Sequence, residues 1–255
     1  MTTPQGLAVS AAHDAAQARL LDRGLAEITL AQSTLFDIND LDNATRYVEV
    51  AADLVRVNRA KAVSVAGDFY NVLRMVETAR EANVPAYVAV PAPPVEPALL
   101  RASMAVTGPV TAKAALARGL TSGEAAQRAL TATLGAVTRH LEGGPRDVTL
   151  LNSRRDPASK GWSRQSGGRP CAFCAMLISR GPVYSRDSVT FRAHDHCHCK
   201  AVAFFGRDSG WTQQSREFES LWRESDGTIA GFRKTHSEAF PKPATEAAVP
   251  LPLAA

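Results

Sequence analysis

Apolar residues recur every three or four positions from Leu41 to Ala79. Leu41, Ala44, Val48, Ala51, Val55, Ala62, Val65, Phe69, Val72, Val76 and Ala79 follow a seven-residue repeat that only Asn58 interrupts. Asn43, Arg46, Glu49, Asp53, Arg56, Arg59 and Lys61 fill the positions between. That spacing predicts one long amphipathic helix with a single buried face, roughly 60 Å from end to end at about 1.5 Å per residue. Gly67 is a weak point, because glycine in a helix interior costs about 1 kcal/mol relative to alanine. The alanines on the seam suit close packing inside an intramolecular bundle, whereas a free two-stranded coil would take more leucine.

An earlier helix is predicted over about Gln5 to Ala31, with Leu20, Leu21, Leu25 and Ile28 on one side. Residues 84–97 carry five prolines and read as an extended crossing segment. Two shorter helices follow: one at about Val110–Arg118, after Gly108-Pro109, and one at about Ser122–Leu141, with Thr121 or Ser122 as N-cap and Glu124 in its first turn. Gly143-Gly144-Pro145 reads as a stop, and sets a boundary between a helical domain, residues 1–145, and a second unit. Beyond it the periodicity shortens. A helix over Arg146–Arg155, a short strand at Trp162–Gln165, a turn or two of helix at Ala172–Ser179, strands at Val183-Tyr184 and Ala201–Phe205, and an amphipathic helix at Trp211–Glu224 with Phe218, Leu221 and Trp222 buried complete a module spanning 146–235. Residues 236–255 are mostly alanine and proline and read as a flexible tail. The fold class is therefore mostly α: a long-helix bundle followed by a small α+β module.

Composition agrees. The chain has 255 residues and is 45% hydrophobic but only 6% aromatic, which favours helices packed through small side chains over a β-sandwich. No stretch approaches the ~20 apolar residues of a membrane span, and Asp14, Arg19, Asp22, Arg23 and Glu27 are unlike a secretory leader. A soluble protein made in a cytoplasm, with no membrane partner, is expected. The net charge of +4 is unevenly spread: residues 146–207 hold 11 basic and 4 acidic groups, while residues 1–145 hold 13 and 14. The basic segment is suited to nucleic acid or an acidic partner, or to balancing anionic thiolates.

That segment also holds all the candidate chemistry. The chain's 4 cysteines lie within 29 residues, as Cys171-Ala-Phe-Cys174 and Cys197-His198-Cys199, with His194 and His196 just ahead of the second pair. Two N/S ligands from each of two chain segments is the layout of a structural zinc site. Cys171 and Cys174 supply one pair, Cys197 and Cys199 the other, with His194 able to replace a sulfur. A closed set of this kind leaves no open position for catalysis. Disulfides between the pairs, or reduced thiols, are the alternatives, the first uncommon in cytosol. A protease would need a nucleophile and base; Ser163, Ser166 or Cys171 with His194 or His196 are the nameable candidates, without a local signature.

Cys171-Ala-Phe-Cys174, Ser179-Arg180-Gly181-Pro182-Val183-Tyr184 and His194-Asp195-His196-Cys197-His198-Cys199 together resemble the C-terminal half of phage Mu-F-type minor head proteins, in the version found in phages of actinobacteria. The resemblance covers residues 146–207. His198 stands where the wider family often has arginine. The resemblance implies a minor capsid or head morphogenesis protein, held at the portal or in the procapsid and found in the virion or, during assembly, in the host cytoplasm. Its implied partners are portal, capsid or scaffolding proteins, and the basic 146–207 segment adds the expectation of non-specific contact with packaged DNA. Some relatives are labelled capsid maturation proteases, which makes that activity the alternative.

Overall fold

The computed structural model describes residues 3–184, 191–206 and 210–241. Helix α1 spans Pro4–Leu35; Thr3 caps it through a hydroxyl that accepts from the Gly6 amide, and Pro4 occupies the first turn, where its missing N–H is not needed. A 3₁₀ turn at Leu41–Asn43 reverses the chain into α2, Thr45–Glu77. The Thr3 amide and hydroxyl both donate to Glu77 Oε1, so the start of α1 meets the end of α2 and the two form an antiparallel hairpin. After the extended proline-rich crossing, α3 (Pro97–Ala105) passes through a π turn at Val106–Val110 into α4 (Thr111–Ala117). Helix α5, Ser122–Arg155, then crosses α1 and α2; Thr121 and Glu124 close a capping box at its start. Leu21, Ile28, Tyr47, Val55, Leu100, Met104, Val137 and Leu141 form the main core of this bundle.

Two features differ from the sequence pattern for identifiable reasons. The seven-residue seam of α2 holds at Ala51, Val55, Asn58, Ala62 and Phe69, but its second half buries Ala66, Tyr70 and Leu73 and leaves Val72 40% exposed. A straight helix turns every 3.6 residues, so a strict 3.5-residue repeat drifts off the buried face over several turns. Second, Gly143-Gly144-Pro145 is not a stop, and residue 145 is not a break between elements: α5 runs straight through it. A side chain on Gly144 would lie 2.9 Å from Val63 Cγ2 and 3.4 Å from the Arg59 carbonyl, so the glycine marks the close crossing of α5 over α2.

The C-terminal module begins on the last turns of α5. Strand β1 (Gly161–Ser166) pairs antiparallel with β2 (Cys199–Phe204), in a register running from Gly161↔Phe204 to Ser166↔Cys199. Between them lies α6 (Ala172–Ile178), and Tyr184 adds a single bridge to Trp162. Helices α7 (Gln213–Glu224) and α8 (Ile229–Ala239) close over α6, burying Ile178, Phe218 and Phe232 against Cys174, Cys197 and Cys199, with Leu221 and Trp222 partly buried beside them. Val202, Ala203 and Phe205 pack on Phe69, Tyr70 and Leu73 of α2, so the module and the bundle share a core. Residues 236–239, grouped with the tail by composition, belong to α8, where His236 is buried. The rest of the expected tail, 242–255, lies outside the described residues. Among the described residues no helix is long and apolar enough to cross a membrane.

Candidate metal centre

Three short pieces of chain bring the cysteines together. Cys171 is the N-cap of α6, its sulfur accepting from the Cys174 amide at 3.5 Å, so the CxxC spacing places both sulfurs on the first turn of that helix. Cys197 sits in a tight turn after His196, whose φ of 57° is left-handed, and Cys199 opens β2. The turn reverses the chain so that Cys197 and Cys199 are both buried while His196 and His198 are exposed. His194 reaches back across the turn to α6.

All five residues expected from the sequence converge. His194 Nε2 is 3.3 Å from the Cys171 sulfur and 3.8 Å from that of Cys174, and the Cys174 and Cys197 sulfurs are 3.9 Å apart. A tetrahedron built on bonds of about 2.3 Å has edges near 3.8 Å, so these are the separations of donors around one ion. The cluster resolves into two groups of three, Cys171–Cys174–His194 and Cys174–Cys197–Cys199, that share Cys174. His194 is oriented by its own turn: Nδ1 donates to the Asp195 carbonyl at 2.6 Å, which leaves Nε2 facing the sulfurs. The donor set fits a thiophilic divalent ion of the zinc class, which would tie α6 to the turn ahead of β2. The cysteines are not joined by disulfides.

The surroundings suit negative charge. Hydrogen bonding from the Cys174 thiol holds Cys171 down to about 5, with the Cys174 amide and His194 adding to it. The same thiol drives Cys197 well below the usual thiol range, and is itself pushed up by donating to Cys171 and Cys197. Two buried arginines face the cluster. Arg146 of α5 donates from Nε to the Cys199 carbonyl at 2.7 Å and from Nη2 to the Cys197 carbonyl at 2.5 Å. Arg164 of β1 approaches the Cys174 sulfur at 3.9 Å and donates to the Arg192 carbonyl at 2.8 Å. The guanidinium carbons lie 4.9 Å (Arg146) and 3.7 Å (Arg164) from the Phe191 ring centre. Three or four thiolates on a divalent ion leave a net negative charge, and this pair of cations offsets it.

The turn that carries His194 and Cys197 is also clamped to α5. The His196 amide donates to the Gly135 carbonyl, Arg139 pairs with Asp195 at 2.7 Å, and Arg146 holds the two cysteine carbonyls as above. Positions 135, 139 and 146 share one face of the helix. A side chain at Gly135 would fall 2.5 Å from His196 Nε2 and 3.1 Å from Asp195 Cβ. None of these partners was singled out by sequence reasoning; the Gly–Arg–Arg spacing at i, i+4 and i+11 was the only signal for them.

The remaining candidates are placed as follows. Ser163 is 2% exposed and accepts from Gln165 Nε2, away from any histidine contact. Ser166 lines a cavity of about 880 Å³ together with His194, His196, His198 and the cysteines, but its amide and carbonyl pair with the Gln214 side chain. His13 and His140 are lone histidines on helices, and both are half-buried. His13 stacks on Phe69 at 4.0 Å, and His140 meets Ser103 Oγ at 3.0 Å. Burial holds both down to about 4, with neighbouring Arg139 and Arg59 also disfavouring the charge on His140.

Comparison with known proteins sets this chain in a family. The family model described as VG15 protein matches residues 7–225, which takes in both the bundle and the metal module. A protein of Mycobacterium phage D29, "Gene 15 protein", is similar to this chain at 42% identity over 76 residues, covering 28% of this chain and 28% of that protein. No solved structure matches.

Proposed function

This chain belongs to the VG15 protein family and is a phage protein, and from that premise we propose that it is a minor capsid or head morphogenesis protein. In this reading it associates with the portal or the procapsid, through contacts to portal, capsid or scaffolding proteins, and a structural zinc ion staples its C-terminal module. The observation that carries the proposal is the convergence of Cys171, Cys174, His194, Cys197 and Cys199 into two groups of three donors that share Cys174, with neighbouring donors 3.3 to 3.9 Å apart. These are the residues through which the chain resembles Mu-F-type minor head proteins. Five protein donors are enough to fill the four positions of such an ion, which suits a staple rather than a hydrolytic centre. The Ser–His contact between Ser103 and His140 favours the same reading: a histidine held down to about 4 is a weak base near neutral pH, and both residues sit on packed helices.

The proposal places the protein in the virion head or beside the portal, and in the host cytoplasm while heads assemble. It is tested by gradient sedimentation of procapsids and portal rings from infected cells, with this chain followed by immunoblot. Co-migration with either particle is expected; migration only with free protein overturns the assignment. Major capsid protein cleaved normally in cells carrying Ser166→Ala or Cys171→Ser would count against the maturation-protease alternative.

A further inference from the structure

Helix α3, the π turn and α4 run on as one rod from Pro97 to Ala117, and the rod has two unlike faces. Leu100, Met104, Gly108 and Ala112 are buried against the bundle. On the opposite side Leu99, Ala102, Val106, Val110, Ala114 and Ala117 are all exposed, Leu99 at 62%, Val106 at 57% and Val110 at 53%. That stripe carries no charge from end to end. The wide π turn keeps it straight, because it rotates the chain less per residue than an α-helix and so holds Val110 in line with Val106. The same turn seats Gly108 on Tyr47, where a side chain would come within 2.8 Å of the ring. The stripe is also symmetric. Gly108 is the midpoint of each of the pairs Leu99 and Ala117, Ala102 and Ala114, and Val106 and Val110. The ends of the rod carry opposite charges: Glu96 precedes α3 and Arg118 ends α4, both exposed and neither in an ion pair among the described residues. Lys113, the other cation near the stripe's second half, is paired with Asp42.

We propose that this face is a self-association surface, on which two copies of the chain lay their α3–α4 rods antiparallel about a two-fold axis at Gly108. An isologous contact requires a patch that complements itself, and this one does so in side-chain size and in charge. Antiparallel pairing sets Leu99 over Ala117, Ala102 over Ala114 and Val106 over Val110, and it brings each Glu96 within a turn of Arg118 in the second copy. A stripe shaped for a different protein has no reason to read the same from both ends. The alanines let the two axes approach to about 8 Å, the close end of helix packing, and withdrawal of Leu99, Val106 and Val110 from water supplies the driving force. The rod is about 30 Å long. Covering it in both copies removes on the order of 1,000 Å² from solvent, at the low end for a specific interface, so a dimer in exchange with monomer is expected. The inference does not depend on the head-protein reading; it concerns the chain by itself.

The test is sedimentation velocity of the full zinc-loaded chain at low salt, from about 1 to about 200 µM, a range that brackets a weak dimer. The weight-average mass is expected to rise from one chain toward two. A folded wild type that stays monomeric throughout overturns the proposal. Leu99→Glu and Val106→Glu change exposed side chains that the fold does not need, and each is expected to raise the dimer dissociation constant about tenfold or more by placing a carboxylate in the contact. A dimer that both variants leave unchanged lies on another face and also overturns it. Glu96→Arg and Arg118→Glu each replace both ion pairs across the axis by like charges, and each is expected to weaken the dimer by about tenfold. An equimolar mixture of these two variants, and a single chain carrying both changes, should recover wild-type association. Failure of both recoveries overturns the antiparallel arrangement. A monomer that still migrates with procapsids leaves the head-protein reading standing, and a dimer that never does leaves this one standing, so the two fall separately.

Discussion

At the level of single residues, the cluster makes an uneven prediction about its own ligands. Cys174 belongs to both groups of three donors, so Cys174→Ser leaves only the pairs Cys171–His194 and Cys197–Cys199. His194→Ala leaves Cys174, Cys197 and Cys199 together with Cys171 nearby. Elemental analysis of purified protein should therefore find close to one zinc per chain in the wild type and in His194→Ala, and close to none in Cys174→Ser. Equal loss in both variants would mean that His194 is an obligatory ligand. A second residue-scale prediction concerns acid. His13 and His140 are held down to about 4 in the folded chain, first by burial, against about 6.5 when unfolded. The unfolded chain then binds more protons between these values, so the stability they contribute is complete above pH ~6.5 and is lost as pH falls toward 4. The melting temperature of His140→Gln should fall less than that of the wild type between pH 7 and 4.5; parallel curves would show that His140 is not coupled to folding.

At the level of elements, helix α5 connects the parts, and it explains what the sequence could and could not disclose. The long helices were legible because their apolar spacing is regular over many turns, and the CxxC and CxC pairs because cysteines that could hold a metal leave a local trace. The continuity of α5 was not legible. Gly143-Gly144-Pro145 carries the local signals of a stop, but the crossing over α2 at Val63 and Arg59 rewards a bare backbone at Gly144 and overrides them. Helix α8 was missed because its large apolar residues, Ile229 and Phe232, are sparse, with Phe240 just past its end, and its buried face includes His236. Arg146 and Arg164 counted toward a basic surface in the sequence, yet each is 3% exposed and serves the cysteines. Arg146→Met follows from this. It removes two charged donors from the Cys197 and Cys199 carbonyls while keeping the bulk, and should destabilise the module by about 3 kcal/mol, with weaker zinc retention in competition with a chelator. A variant with wild-type melting temperature and zinc retention would show that water serves those carbonyls equally well. Gly144→Val tests the crossing itself. Overpacking of this kind costs about 1–3 kcal/mol, which a lowered denaturant midpoint would register.

At the level of the whole molecule, the question is how far loss of the metal travels. The local coupling of metal binding to folding suggests that only residues 160–205 respond. The contacts extend further than that. Cys174, Cys197 and Cys199 belong to the same core as Ile178, Phe218 and Phe232, so releasing the ion loosens the seat of α7 and α8. The turn that carries His194 and Cys197 is fastened to α5 at Gly135, Arg139 and Arg146, so the middle of that helix loses three partners on one face. The core of the α1–α2 hairpin around Tyr47 and Val55 holds none of the cysteines and none of Gly135, Arg139 and Arg146; it meets α5 through Val137 and Leu141, on another part of that helix's surface, while the far end of α2, at Phe69, Tyr70 and Leu73, packs on β2. Hydrogen exchange of the intact chain before and after chelation should then show three tiers. Amides of α6, α7, α8 and the β1–β2 pair lose most protection, those of α5 from about 135 to 146 lose an intermediate amount, and those of α1 and α2 keep theirs. Protection lost uniformly along the chain would mean that the ion holds up the entire fold. Protection lost only between 160 and 205 would mean that the α5 clamp stands without it.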